Sequence, residues 1–187
     1  MRRFCTAVLL LVISLGSAGA ACQDYLAQAF DRLNAQPFTA ETRSAAANTI
    51  TYLIYDQERP DVFRAHLRFE GHGRGTIDLV NIGGKRWSDR GEGWKLLDER
   101  DYEQSISYVS FLWRPFSAKD VRQASCMGST PKKGVWHSVF GIAQGRTFLT
   151  VYVNNLTGLP ESWSTQNGQA EAAFRYDRAV RVAHPMP

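Results

Sequence analysis

The chain has 187 residues, 44% of them hydrophobic, with 22 Lys and Arg against 18 Asp and Glu for a net charge of +4. That is enough chain for one domain with a sizeable core. The basic excess is too slight to be a nucleic-acid signature. Arg2 and Arg3 lead into the apolar run Ala7–Ile13, which is followed by Ser17, Ala18, Gly19 and Ala20. A basic start, a short apolar stretch and small residues at the cut form a secretory signal peptide. The run is too short to span a bilayer as a helix.

Residues 1–20 are therefore expected to direct export and be cleaved after Ala20, leaving one domain over residues 21–187 that works in the periplasm. Gly19, Ala20 and Ala21 precede Cys22, without the leucine of a lipid-attachment box. Phe4 follows the arginine pair where a twin-arginine motif would continue. Ordinary secretion without a lipid anchor is the expectation. Cleavage removes Cys5 with the arginine pair and lowers the net charge to +2. The remaining Cys22 and Cys126 are expected to form one disulfide in an oxidising compartment. No Cys-x-x-Cys spacing supports a redox role.

The spacing of Leu26, Ala29, Phe30 and Leu33 predicts a helix over residues 23–35, stopped by Pro37. Strands follow. Thr49 to Tyr55 is rich in β-branched and aromatic residues. From Val62 to Glu70, Phe63, Ala65, Leu67 and Phe69 alternate with Arg64, His66, Arg68 and Glu70, a half-buried strand with a basic face. The glycine-rich stretch 71–75 makes a turn into a strand over Thr76–Ile82, whose apolar phase slips between Leu79 and Val80 as at a bulge. Arg86–Asp89 and Trp94–Leu97 flank a hairpin turn at 90–93.

A second helix is predicted over Asp101–Trp113, with the stripe Tyr102, Ile106, Val109 and Trp113. Asp101 and Gln104 have capping-box spacing, and Arg114-Pro115 ends the helix. Strands resume near Val121. Val135–Ala143 and Arg146–Val153 flank Gln144-Gly145 as a hairpin. Glu161–Thr165 and Glu171–Asp177 flank the last turn. This order predicts an α+β, mainly β fold: a strongly curved antiparallel sheet, an incomplete β-barrel, wrapped around two or more helices.

Three stretches carry a family resemblance: residues 25–30 running into Pro37-Phe38; Lys85-Arg-Trp87 with Gly93-Trp94-Lys95-Leu96; and Phe148–Val153 followed by Thr157-Gly-Leu-Pro160. In these, and in its layout, the chain resembles the LolA/LolB-type lipoprotein carriers. The resemblance implies a half-barrel whose apolar concave face holds a lipid, a lipoprotein acyl chain or another apolar ligand. Phe63, Leu67 and Phe69 are candidates to line it from one strand. Trp87, Trp94, Phe148, Tyr152 and Phe174 are candidates from others, and Tyr102, Ile106 and Trp113 would form a lid. The alternative is that these residues fill a dry core and the protein is an envelope interaction or sensor module.

No sequence pattern points to catalysis, a cofactor or nucleic acid. Expected partners are a lipid or acyl chain, an envelope protein, and a membrane touched peripherally. Arg64, His66 and Arg68, and separately Lys132-Lys133, read either as solvated faces or as attractors of anionic headgroups. His66, His72, His137 and His184 are scattered without metal-ligand spacing. The glycines of 71–75 precede a strand, not the helix that a nucleotide loop requires.

Overall fold

The computed structural model describes residues 20–72, 74–176 and 179–185. The expected signal peptide through residue 19, Cys5, Gly73 and Asp177 lie outside the described residues. Helix α1 spans residues 20–34. Its stripe of Leu26, Ala29, Phe30 and Leu33 is fully buried. Six strands follow: β1 (Phe38–Ala46), β2 (Thr49–Arg59), β3 (Val62–Gly71), β4 (Gly75–Ile82), β5 (Lys85–Asp89) and β6 (Lys95–Leu96). Then come α2 (Glu99–Trp113) and the short α3 (Ala118–Arg122). The chain continues through β7 (Ser125–Lys132), β8 (Val135–Gln144), β9 (Thr147–Asn154), β10 (Leu159–Thr165) and β11 (Ala170–Arg175).

The eleven strands form one sheet in the order β6-β5-β4-β3-β2-β1-β11-β10-β9-β8-β7. All pairings are antiparallel, and the sheet is open, an incomplete barrel with helices on one face. The core lies between that face and the helices. Trp113 of α2 stacks on Tyr55 with centroids 5.1 Å apart, and Phe38 lies 5.5 Å from Trp113. Phe30 of α1 meets Phe116 edge-on at 4.8 Å. Cys22 of α1 and Cys126 of β7 are disulfide-bonded, with Cα atoms 6.3 Å apart. This bridge clamps the first helix to an edge strand. The same strand carries a bulge after Cys126 and Pro131 on its open side, features that discourage pairing with another chain.

Four local expectations are corrected. No strand was expected over 38–46, where Ala and Glu lower strand propensity; β1 forms because β2 and β11 pair along its length. Val121 begins no strand. It is buried in α3, which Ser117 and Asp120 nucleate with a capping box. No bulge separates Leu79 from Val80, since β4 pairs with β3 and β5 in unbroken register. Both are buried because both faces are covered: Leu79 by the core, Val80 where residues 179–185 cross the other face. There the Val182 N–H donates to Glu58 Oε2 at 3.1 Å and the His184 ring meets Trp87. Finally, α2 starts at Glu99, because the Asp98 side chain accepts the Asp101 N–H and caps it.

Candidate functional site

The register sorts the candidate residues onto two faces. Phe63, Leu67 and Phe69 of β3 and Phe174 of β11 share the helix-side face with Leu53, Tyr55 and Ala40. Tyr102, Ile106 and Trp113 of α2 pack against the same cluster. Trp87 pairs with Val80, Phe148 with Ala143 and Tyr152 with Val139, so these three face the other side. Trp94 sits half-buried in the turn before β6.

On the helix side, aromatic rings form a continuous bed: Phe38, Tyr55, Phe63 and Trp113, with Trp163 fully buried beside them. The bed is packed, and burial raises the Tyr55 phenol pKa. Two buried polar atoms in it, Thr42 Oγ1 and Trp113 Nε1, have no hydrogen-bond partner. Such atoms are costly in a low-dielectric interior.

Helix α2 is held unevenly over this bed. Its buried residues, Val109, Leu112 and Trp113, all lie in the last turns. There the Trp163 Nε1–H donates to the Trp113 carbonyl at 2.8 Å. The first two turns bury nothing fully. Tyr102 and Ile106 are half-buried, and the Arg86 guanidinium lies 4.1 Å over the Tyr102 ring. Burial raises the Tyr102 pKa, and Arg86 partly offsets this. Tyr108 and Phe111 are 43% and 61% exposed, and Tyr108 is turned to the sheet, its ring 6.4 Å from Phe69 and its hydroxyl 3.3 Å from Thr51 Oγ1.

The opposite face holds a groove of about 820 Å³. Its floor is made of small outward residues, Ser162, Ser164 and Ala173 of β10 and β11. Tyr52 and Ile54 wall one side and Tyr152 the other. Two basic clusters remote in sequence meet here. Arg68 lies 4.6 Å over the Tyr52 ring, and Lys132 lies 4.7 Å over Tyr152 while its Nζ donates to Ser162 Oγ. The basic face of β3 is largely neutralised: Arg64 pairs with Asp78 at 2.7 Å, His66 Nδ1 lies 3.2 Å from Asp78, and Arg68 pairs with Glu70 at 3.2 Å.

Sequence reasoning did not find a third cluster. His137 is 1% exposed, with Nδ1 3.0 Å from the Val135 carbonyl and Nε2 2.7 Å from Glu161 Oε2. Asn154 Nδ2 donates to Glu161 Oε1 at 2.6 Å. Burial alone would raise the Glu161 pKa. The hydrogen bonds from Asn154 and His137 and the charges of His137 and Lys132 outweigh it and hold the group below its ordinary range. The cluster joins β8, β9 and β10, and only strand pairing brings it together.

No protein-family model matches the chain, and no curated protein sequence matches it. Solved structures do. LprF from Mycobacterium bovis superposes with a TM-score of 0.55 at 9% identity, over 89% of this chain and 98% of that one. The Mycobacterium tuberculosis lipoprotein LppX superposes with a TM-score of 0.52 at 11% identity, over 87% and 98%. At such identities the likeness is one of architecture, and in architecture this chain has the LolA/LolB-like fold.

Proposed function

We propose that the mature chain, residues 21–187, is a single half-barrel domain that works in the periplasm as a carrier of an apolar ligand, a lipid or a lipoprotein acyl chain. The observation that carries this reading is the uneven anchoring of α2 over the aromatic bed. Its C-terminal turns act as the hinge. Its N-terminal turns, with Tyr102 and Ile106, lift to admit an acyl chain along Phe63, Leu67 and Phe69. Each methylene buried there contributes about 0.8 kcal/mol, so one chain holds without a charged contact. The disulfide suits an oxidising compartment.

The test is native mass spectrometry of protein purified from the periplasm, with lipid analysis of an organic extract. Acyl species near one per protein, lost when Ile106 is replaced by Asp, are expected. A clean apo mass that does not shift on adding phospholipid or lipopeptide overturns the reading. It would favour an envelope interaction module, which the dense packing of the same aromatic bed also accommodates.

A further inference from the structure

One end of the sheet is built unlike the rest of the surface. The β7–β8 turn carries Lys133, and Trp136 follows three residues after Lys133, 58% exposed. The β9–β10 turn carries Leu156, at 83% the most exposed large apolar side chain among the described residues. The two turns are fastened together. The Asn155 N–H donates to the Trp136 carbonyl at 2.9 Å, and Asn155 Oδ1 accepts from the Ser138 N–H and hydroxyl, both at 2.8 Å. Asn154 Oδ1 accepts the N–H groups of Leu156 and Thr157, which fixes the turn that presents the leucine. Gly158 takes φ +67°, a backbone conformation that favours glycine, and the Arg32 guanidinium of α1 lies against it. Leu156 and Trp136 therefore sit on a preorganised tip bordered by Lys133 and Arg32. The carboxylate on the adjoining strand, Glu161, is engaged by His137 and Asn154.

We infer that this tip is a membrane-contact site that docks on an anionic lipid surface. A leucine exposed on a rigid turn inserts below the headgroups. A tryptophan beside it sits at the headgroup level, where its ring is half solvated. The two cations face the lipid phosphates, and each adds attraction at a negative surface. The charge arrangement selects this occupant: exposed Leu156 and Trp136 are bordered by Lys133 and Arg32, and the Glu161 carboxylate on the adjoining strand is held by His137 and Asn154. The inference does not depend on what the interior binds, since none of these residues lies in the aromatic bed or on α2.

The test is co-sedimentation of the mature protein with vesicles of phosphatidylcholine containing phosphatidylglycerol, against vesicles of phosphatidylcholine alone. Partition into the anionic vesicles, weakened by salt, is expected. Replacing Lys133 by Gln should lower the partition coefficient about fivefold. Leu156→Ser and Trp136→Ser should abolish most of it while leaving the circular dichroism spectrum and the denaturation midpoint unchanged, because both side chains are solvent-exposed. Absence of partition, or partition indifferent to all three substitutions, overturns the inference. So does a dimer in sedimentation velocity that Leu156→Ser dissociates, which would make the tip a contact between copies of this chain.

Discussion

Replacing Cys22 and Cys126 together by Ser opens a covalent loop spanning 104 residues. In the chain-entropy model, closing a loop of this length stabilises the folded state by about 4.7 kcal/mol, almost all of it by restricting the unfolded chain. The native state itself loses little, since Cys126 is exposed and Cys22 only half-buried. Two observables should therefore move together in urea denaturation followed by circular dichroism. The stability should fall by roughly 4 kcal/mol, or about 10–15 °C in Tm for a domain of this size. The m-value should rise, because the released chain exposes more surface on unfolding. A loss under about 1 kcal/mol with an unchanged m-value would refute this reasoning. It would mean that contacts between α1 and the sheet persist in the unfolded ensemble. In the native protein both cysteines should resist thiol reagents until reduced.

Three further substitutions probe other parts of the fold. Trp163→Phe removes the donor to the Trp113 carbonyl and should cost about 1–3 kcal/mol, with faster amide exchange in the last turn of α2. Unchanged exchange would mean that the hinge lies elsewhere. For Glu161, the folded pKa is held below the ordinary value of 4.5. The unfolded state thus takes up this proton at higher pH, so the stabilisation is present above that value and lost as pH falls through the folded pKa. Glu161→Gln should flatten this acid limb of the stability curve, and an identical limb in the variant would exclude the cluster as its source. At Gly71, φ is +102° and an added Cβ would collide with the Asn48 carbonyl oxygen. Gly71→Ala should therefore destabilise by more than about 1 kcal/mol, read as a shift in denaturation midpoint.

What the sequence disclosed follows from how local each signal is. The stripe of α1 and the alternation of β3 are written in neighbouring residues, and both elements appear with the expected buried faces. The hairpin at 90–93 is equally local, and β5 and β6 pair around it. β1 is a strand because of its partners, which no window around 38–46 contains. The same holds for the groove. Arg68 and Lys132 belong to different halves of the chain, and the register of eight strands sets them on facing walls. Alternation within a strand does not by itself separate Phe63, Leu67 and Phe69 from Trp87 and Tyr152, which lie on other strands. That separation requires knowing which face the helices cover, which follows from packing. The small residues flanking Trp163, Ser162 and Ser164, were a readable sign of an outward-facing floor.

The strand order has a consequence for assembly of the molecule. Residues 38–96 form one run of consecutive hairpins and residues 125–175 another, and the two runs meet only where β1 pairs with β11. Each run closes short loops and is fast to form. The seam between Thr39 and Arg175 or Ser44 and Ala170 joins distant parts of the chain and comes at a greater entropic cost. Until it closes, β1 and β11 are bare edges, and two copies can exchange halves through them. The mature edges, β6 with two residues and β7 with its bulge and disulfide, are guarded. The vulnerable edge of this protein is therefore internal to the finished sheet, and it is exposed only while the chain is folding.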